Sequence, residues 1–306
     1  MDNNKWTAEA VSDAVLKNNN HLEIIVSNYF RTFIERLEEY DIKIQEVTNV
    51  GQLYQMVVEG IEKLESMRKE FLSVVEMFAT NNHPILKSYL PAFFERLLNF
   101  YEEHGVNLYS GTSTDLLRND HYRFFNQFLL ISLTAMLVEN HCFDALQAIL
   151  RSKYVVYYKD YRMAREVNFM RFREYNYTLN EFLNTNNPKR LSVTADYMYK
   201  YTSVGFEKLI RADILLYYMS LWNSSNDMLD PFWYPELSVY NRDRFILPNL
   251  VSKKYFDEAK VLFGVDTVGQ FKDLLDSTDD SLQRRGLYRV PKLKDGLMYN
   301  VVATEE

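Results

Sequence analysis

The chain has 306 residues, 47% of them hydrophobic and 15% aromatic, with nine Gly, seven Pro and a formal net charge of −7. Such apolar content excludes a disordered chain, and the sparse punctuation favours long helices over a many-turned β architecture. The negative balance excludes a general phosphate binder, which needs clustered cations. A single cysteine, Cys142, excludes an intrachain disulfide or a multi-cysteine zinc site and points to a reducing cytoplasm.

Charge is unevenly spread. Residues 1–80 carry 14 acids against 8 bases, whereas residues 151–173 carry seven bases against Asp160 and Glu166.

The first elements read as two long arms. Phe30, Phe33, Leu37, Tyr40, Ile44 and Val47 recur at steps of three and four, and after Gly51 a second stripe runs from Leu53 to Phe78. Two such stripes joined by a short link predict an antiparallel helical hairpin. Asn81-Asn82-His83-Pro84 ends the second arm and opens a further helix to about His104. The loop Asn107 to Thr112 then divides an N-terminal helical module, 1–106, from a C-terminal helical array, 113–277. A basic, weakly structured tail, 278–306, follows.

Within the array, Asp120 to Asn140 and Phe143 to Arg151 predict a helix pair. The apolar stretch Phe124 to Val138, interrupted by Asn126, Gln127, Ser132 and Thr134, is too short and too polar for a bilayer, so no membrane partner is expected. Phe169, Phe172, Tyr175, Leu179 and Phe182 predict a helix over Val167 to Asn184. Gly205 to Asn223 is apolar on most sides and predicts a central helix. Amphipathic helices follow at Ser252 to Phe263, which Gly264 stops, and at Thr267 to Ser277. The expected fold class is therefore all-α, interrupted by an irregular Pro/aromatic insertion.

That insertion, Asp230 to Tyr240, holds Phe232, Trp233 and Tyr234 between Pro231 and Pro235. Proline fixes φ and removes an amide donor, so the aromatics sit in a non-helical crossing that either locks the core or forms an interface. Core-locking is the expectation, because a buried helix precedes it.

The basic segment interleaves Lys159, Arg162, Arg165, Arg171 and Arg173 with Tyr157, Tyr158 and Tyr161, the combination that stacks bases and tracks phosphates on single strands. The competing reading has Tyr154 to Tyr158 as a buried turn or short strand, with the arginines neutralised by the acidic arms of this chain or another. Asp213 shares a helical face with Phe206, Leu209, Ile210, Ile214 and Tyr217, so its carboxylate must be paired, hydrogen-bonded or neutral. The five histidines show no zinc spacing, and Arg118-Asn119-Asp120-His121 departs from the spacing of helical ribonuclease toxins. Asp257-Glu258-Ala259-Lys260 lies in a helical pattern rather than on a strand edge, so it reads as surface charge pairing. No catalytic residue, metal ligand or cofactor is assigned.

Leu90-Pro91-Ala92-Phe93-Phe94-Glu95, Asp120-His121-Tyr122-Arg123-Phe124-Phe125, Ala212-Asp213-Ile214-Leu215-Leu216-Tyr217-Tyr218, Phe232-Trp233-Tyr234-Pro235-Glu236 and Tyr255-Phe256-Asp257-Glu258-Ala259-Lys260 together resemble an uncharacterised all-helical region of bacterial and prophage conflict proteins, sometimes found beside TIR-type modules. The resemblance implies immunity or sensing, with catalysis on another domain or partner. The expectation is a cytoplasmic, non-catalytic binding or regulatory component with a protein partner or self-association. A helical nuclease, or a nucleic-acid adaptor using residues 151–173, are the alternatives.

Overall fold

The computed structural model describes residues 6–102, 117–158, 163–183, 191–223, 232–278, 287 and 289–305. The fold is all-α, with one small two-stranded sheet.

Helix α1, Ala8–Leu16, starts where the Thr7 hydroxyl accepts from the Ala10 amide. Helix α2, Leu22–Glu38, stops short of its apolar stripe, which continues to Val47. Glu38, Glu39 and Asp41 crowd its C-terminus, where the helix dipole disfavours anions. Carbonyls at and just past this end are met from outside: Tyr122 Oη donates to Leu37 O at 2.8 Å, and His121 Nε2 bonds Tyr40 O at 3.1 Å.

Helix α3, Val50–Ala79, is capped by Asn49, whose side chain accepts from Gln52 N. It is about 45 Å long at the usual helical rise. α2 crosses it at one step: Tyr29 and Arg36 bond Glu70, while Phe30 and Phe33 meet Phe71. Phe93 of α4, Ile85–Glu102, stacks on Phe71 at 4.5 Å and closes an aromatic knot.

Helix α5, Asp120–Glu139, is buried on every side from Asp120 to Leu137 and forms the axis of the molecule. α3 packs on one flank and α8, Phe206–Asn223, on another. Helix α6, Phe143–Arg151, bridges α4 and α9, Lys253–Phe263. The apolar core runs unbroken from Val11 to Val302, so both halves of the described chain share it. The expected boundary loop, Asn107 to Thr112, lies outside the described residues.

Two stretches between the helices are not α-helical, and the first includes the short strand that the competing reading placed at Tyr154 to Tyr158. Tyr154–Tyr158 and Met163–Val167 form an antiparallel hairpin, β1 and β2, with Tyr154 opposite Val167 and Val156 opposite Arg165. Tyr154 and Val156 are buried on one face of β1 while Val155 and Tyr157 are exposed, the alternation of a half-buried strand. The helix expected over Val167 to Asn184 is instead a 3₁₀ turn, Phe169–Phe172, and a short π-helical turn, Thr178–Phe182. Asn168 accepts from Met170 N, and Asn176 accepts from Leu179 N while donating to Asp120 O. Side chains that bond nearby backbone compete with a helical ladder, and here they win. Phe169, Phe172 and Leu179 still reach the core.

After α7, Val193–Tyr201, and α8 come 3₁₀ turns at Glu236–Tyr240 and Pro248–Val251. Ser252 caps α9, Gly264 closes it at φ 69°, and α10, Val268–Ser277, opens with a Thr267/Gln270 capping box. In the described part of the tail, 287 and 289–305, the chain is packed rather than weakly structured. Leu287, Val290, Leu293, Leu297 and Val302 are buried, and Glu305 exchanges backbone bonds with Val251 and Lys253. Its spaced apolar residues anchor a segment that lacks long-helix periodicity. Among the described residues, no helix is long and apolar enough to cross a membrane.

Candidate binding site beside the Asp213 clasp

Helix α8 carries Asp213 into the core, where it is fully buried. Trp233 Nε1 donates to one carboxylate oxygen at 2.7 Å and the Leu237 amide donates to the other at 2.7 Å. Burial pushes this carboxyl up from its ordinary 3.8 to about 7, against the two donated hydrogen bonds. Trp233 is also fully buried, its ring 6.1 Å from Phe169.

Around this pair, Arg173 Nη2 bonds Glu236 at 2.9 Å, its Nε donates to Tyr234 O at 3.3 Å, and its guanidinium lies 5.2 Å from the Tyr234 ring centre. Ser192 also bonds Glu236. Residues singled out for separate reasons, Arg173, Asp213, Trp233 and Tyr234, thus form one structural clasp. Trp233 is accordingly core and not interface, whereas Phe232 and Tyr234 remain partly exposed.

Among its described residues, the cations of the basic segment do not gather on one surface. Lys159, Tyr161 and Arg162 lie outside the described residues, and Tyr158 is described only as a strand position. Tyr157 and Arg165 are exposed on the hairpin, Arg171 is held by Glu174, and Arg173 belongs to the clasp. Lys153 pairs with Glu166 at 3.5 Å. The acids of the N-terminal arms find other partners: Glu62 with Lys200, Glu65 with Arg68, and Glu70 with Arg36.

Other polar candidates are sealed or plainly superficial. His121 is fully buried against Gly60, where an added Cβ would stand 3.1 Å from the imidazole, and burial pushes it down from 6.5 to about 3. Asp120 is buried against Arg123 at 2.9 Å and accepts from Thr178 N at 2.7 Å. Asp257 sits between Lys253 and Lys260 on the surface of α9. Among the described residues no group of three His, Cys, Asp or Glu side chains is placed to hold a metal.

What stays open is a cleft on the flank of α8 next to the clasp. About 200 Å³ in volume, it lies between α5, α8, the segment 246–249 and α9. The Asp213 bonds pin the chain at Trp233 and Leu237, and from there it returns to supply Ile246, Leu247 and Asn249 as one wall. Ala135, Ala212, Leu215 and Leu247 make an apolar floor, and His141, Lys208, Arg211 and Glu139 rim it. Small residues at the α5–α8 crossing leave the space.

Each rim base has a carboxylate partner. Lys208 meets Glu139 at 2.9 Å, Arg211 Nη2 meets Asp243 at 2.7 Å, and His141 Nδ1 meets Glu258 at 2.6 Å. Only Glu139 of these three acids lines the cleft itself. A second groove, about 440 Å³, shares Ala135, Glu139 and Lys208, so the Lys208–Glu139 pair stands between the two spaces.

None of the rim bases was legible as a site in the sequence. Lys208 and Arg211 lie three apart on an otherwise apolar helix, a weak sign that one flank is wet, but their approach to His141 and Leu247 is wholly tertiary. Comparison with family models, with curated proteins and with solved structures finds no match for this chain.

Proposed function

We propose that the chain is a non-catalytic helical binding or regulatory component, acting in the defence-type setting that its sequence resemblance implies, with a protein partner or second copy as its output. One observation carries the reading. Two groups with strongly displaced proton affinities, Asp213 and His121, are fully buried and spent on structural bonds, while Lys208, Arg211, His141 and Glu139 rim a cleft. A catalytic acid or base must reach its substrate's proton; these two are walled in. The rim offers charge and an apolar floor, which is the make-up of a binding site.

The test is incubation of the purified chain with RNA and with single-stranded DNA in Mg²⁺ or Mn²⁺. Both substrates are expected to survive intact. Cleavage that disappears in His121→Ala or His141→Ala would overturn the reading and restore the nuclease alternative.

A further inference from the structure

We infer that the cleft between α5, α8 and α9 is a site for a small organic anion: an apolar or aromatic ring bearing a phosphate or carboxylate. The inference rests on the binding reading above and names the ligand chemistry of that site.

Volume sets the first limit. A cavity of roughly 150 Å³ lined by aliphatic side chains suffices for a benzene ring, so about 200 Å³ admits one ring with its substituent. The floor at Ala135, Ala212 and Leu215 supplies the apolar contact.

Charge sets the second. His141, Lys208 and Arg211 line the cleft against a single acid, Glu139. Asp243 and Glu258, which pair with Arg211 and His141, are not among its walls. The cleft's own lining is left with a surplus of donors. Glu258 engages Nδ1 of His141, which leaves Nε2 as the nitrogen for a ligand. His141 takes this position at φ 57°, a left-handed conformation that is costly for a residue with a Cβ. Its ring packs edge-on against Tyr255 at 5.0 Å, a second constraint on where it points.

The third consideration is exchange. The Lys208 and Glu139 side chains are 48% and 58% exposed, and pairs of that kind contribute about 0–1 kcal/mol. An incoming anion can therefore take Lys208 from Glu139 at little cost and receive charge-assisted hydrogen bonds in return.

The full chain is titrated calorimetrically with phenyl phosphate, with the neutral phenol and with inorganic phosphate, which separate ring from anion. A ring-bearing carboxylate, benzoate, distinguishes the two anion types. Saturable one-to-one binding of the ring-bearing phosphate or carboxylate is expected, with phenol and inorganic phosphate each at least about tenfold weaker, a step of 1.4 kcal/mol. Lys208→Met and Arg211→Met should each weaken binding about tenfold, and Val138→Trp should block it, since Val138 lines the cleft from α5. Circular dichroism confirms the fold of each variant. The inference fails if no probe saturates, if phenol binds as tightly as its anionic counterparts, or if binding is indifferent to all three substitutions. Nuclease activity would instead sink the non-catalytic reading and leave the anion site standing, so the two failures are distinguishable.

Discussion

The two flanks of α8 hold charge on opposite terms. On one, Asp213 is stripped of water and every carboxylate oxygen is answered by a fixed N–H donor. On the other, only two residues away, Arg211 is one-third exposed and Lys208 about half, and both lean on carboxylates that water could replace. A buried charge or unmet polar group costs several kcal/mol, so the first flank tolerates no rearrangement. A solvated pair contributes little and is free to change partner. One flank is fixed and the other does the exchanging.

Breaking the clasp should have the largest effect. Trp233→Ala removes a fully buried indole and strands Asp213, and is expected to cost about 3–5 kcal/mol in denaturant unfolding.

The pH dependence gives the next largest effect, and its sign differs between two buried groups. Asp213 has its proton affinity raised in the folded chain, from 3.8 to about 7. Its contribution is present in full below pH 3.8 and is lost as pH rises toward 7. His121 is depressed, from 6.5 to about 3, so its contribution is present above pH 6.5 and is lost as pH falls toward 3. The two oppose each other across the shared window, where each tenfold change in proton affinity is worth about 1.4 kcal/mol. Asp213→Asn should therefore uncover a loss of thermal stability as pH falls below 6.5, and His121→Asn should uncover a loss as pH rises from 4 to 7. Parallel melting curves for the two variants would contradict this.

Glu236→Ala should be intermediate. It unpairs Arg173 and Ser192 at the edge of the clasp, both poorly exposed, and is expected to cost about 1–3 kcal/mol with the fold retained. Lys208→Met should be smallest in stability, within about 1 kcal/mol, while weakening phenyl phosphate roughly tenfold. A stability loss as large as that of Trp233→Ala would erase the distinction between the flanks.

Legibility in the sequence followed the range of the interaction. The helices at Asp120–Glu139, Phe143–Arg151, Lys253–Phe263 and Val268–Ser277 were readable because their apolar patterning is a local signal, joined by the Ser252 and Thr267 caps at the last two and by Gly264 after Lys253–Phe263. Core-locking by the Pro/aromatic insertion was also readable, since an adjoining buried helix and paired prolines sit within one stretch of chain. The run from Val167 to Asn184 misled: helical spacing of Phe169, Phe172 and Leu179 is equally met by turns when Asn168 and Asn176 bond the backbone. The early end of α2 was hidden too, because its last carbonyls are satisfied by His121 and Tyr122, far along the chain.

Composition and periodicity settled the all-α class, the burial of α8 and the need for Asp213 to find partners, since each follows from what a residue and its near neighbours do with water. Folding alone chose which partners. It gave Asp213 to Trp233 and Leu237, put Arg173 in the same clasp rather than in a basic surface, and gathered His141, Lys208 and Arg211 around one cleft. Those choices join residues tens of positions apart, and a contact across that distance leaves no mark in local spacing.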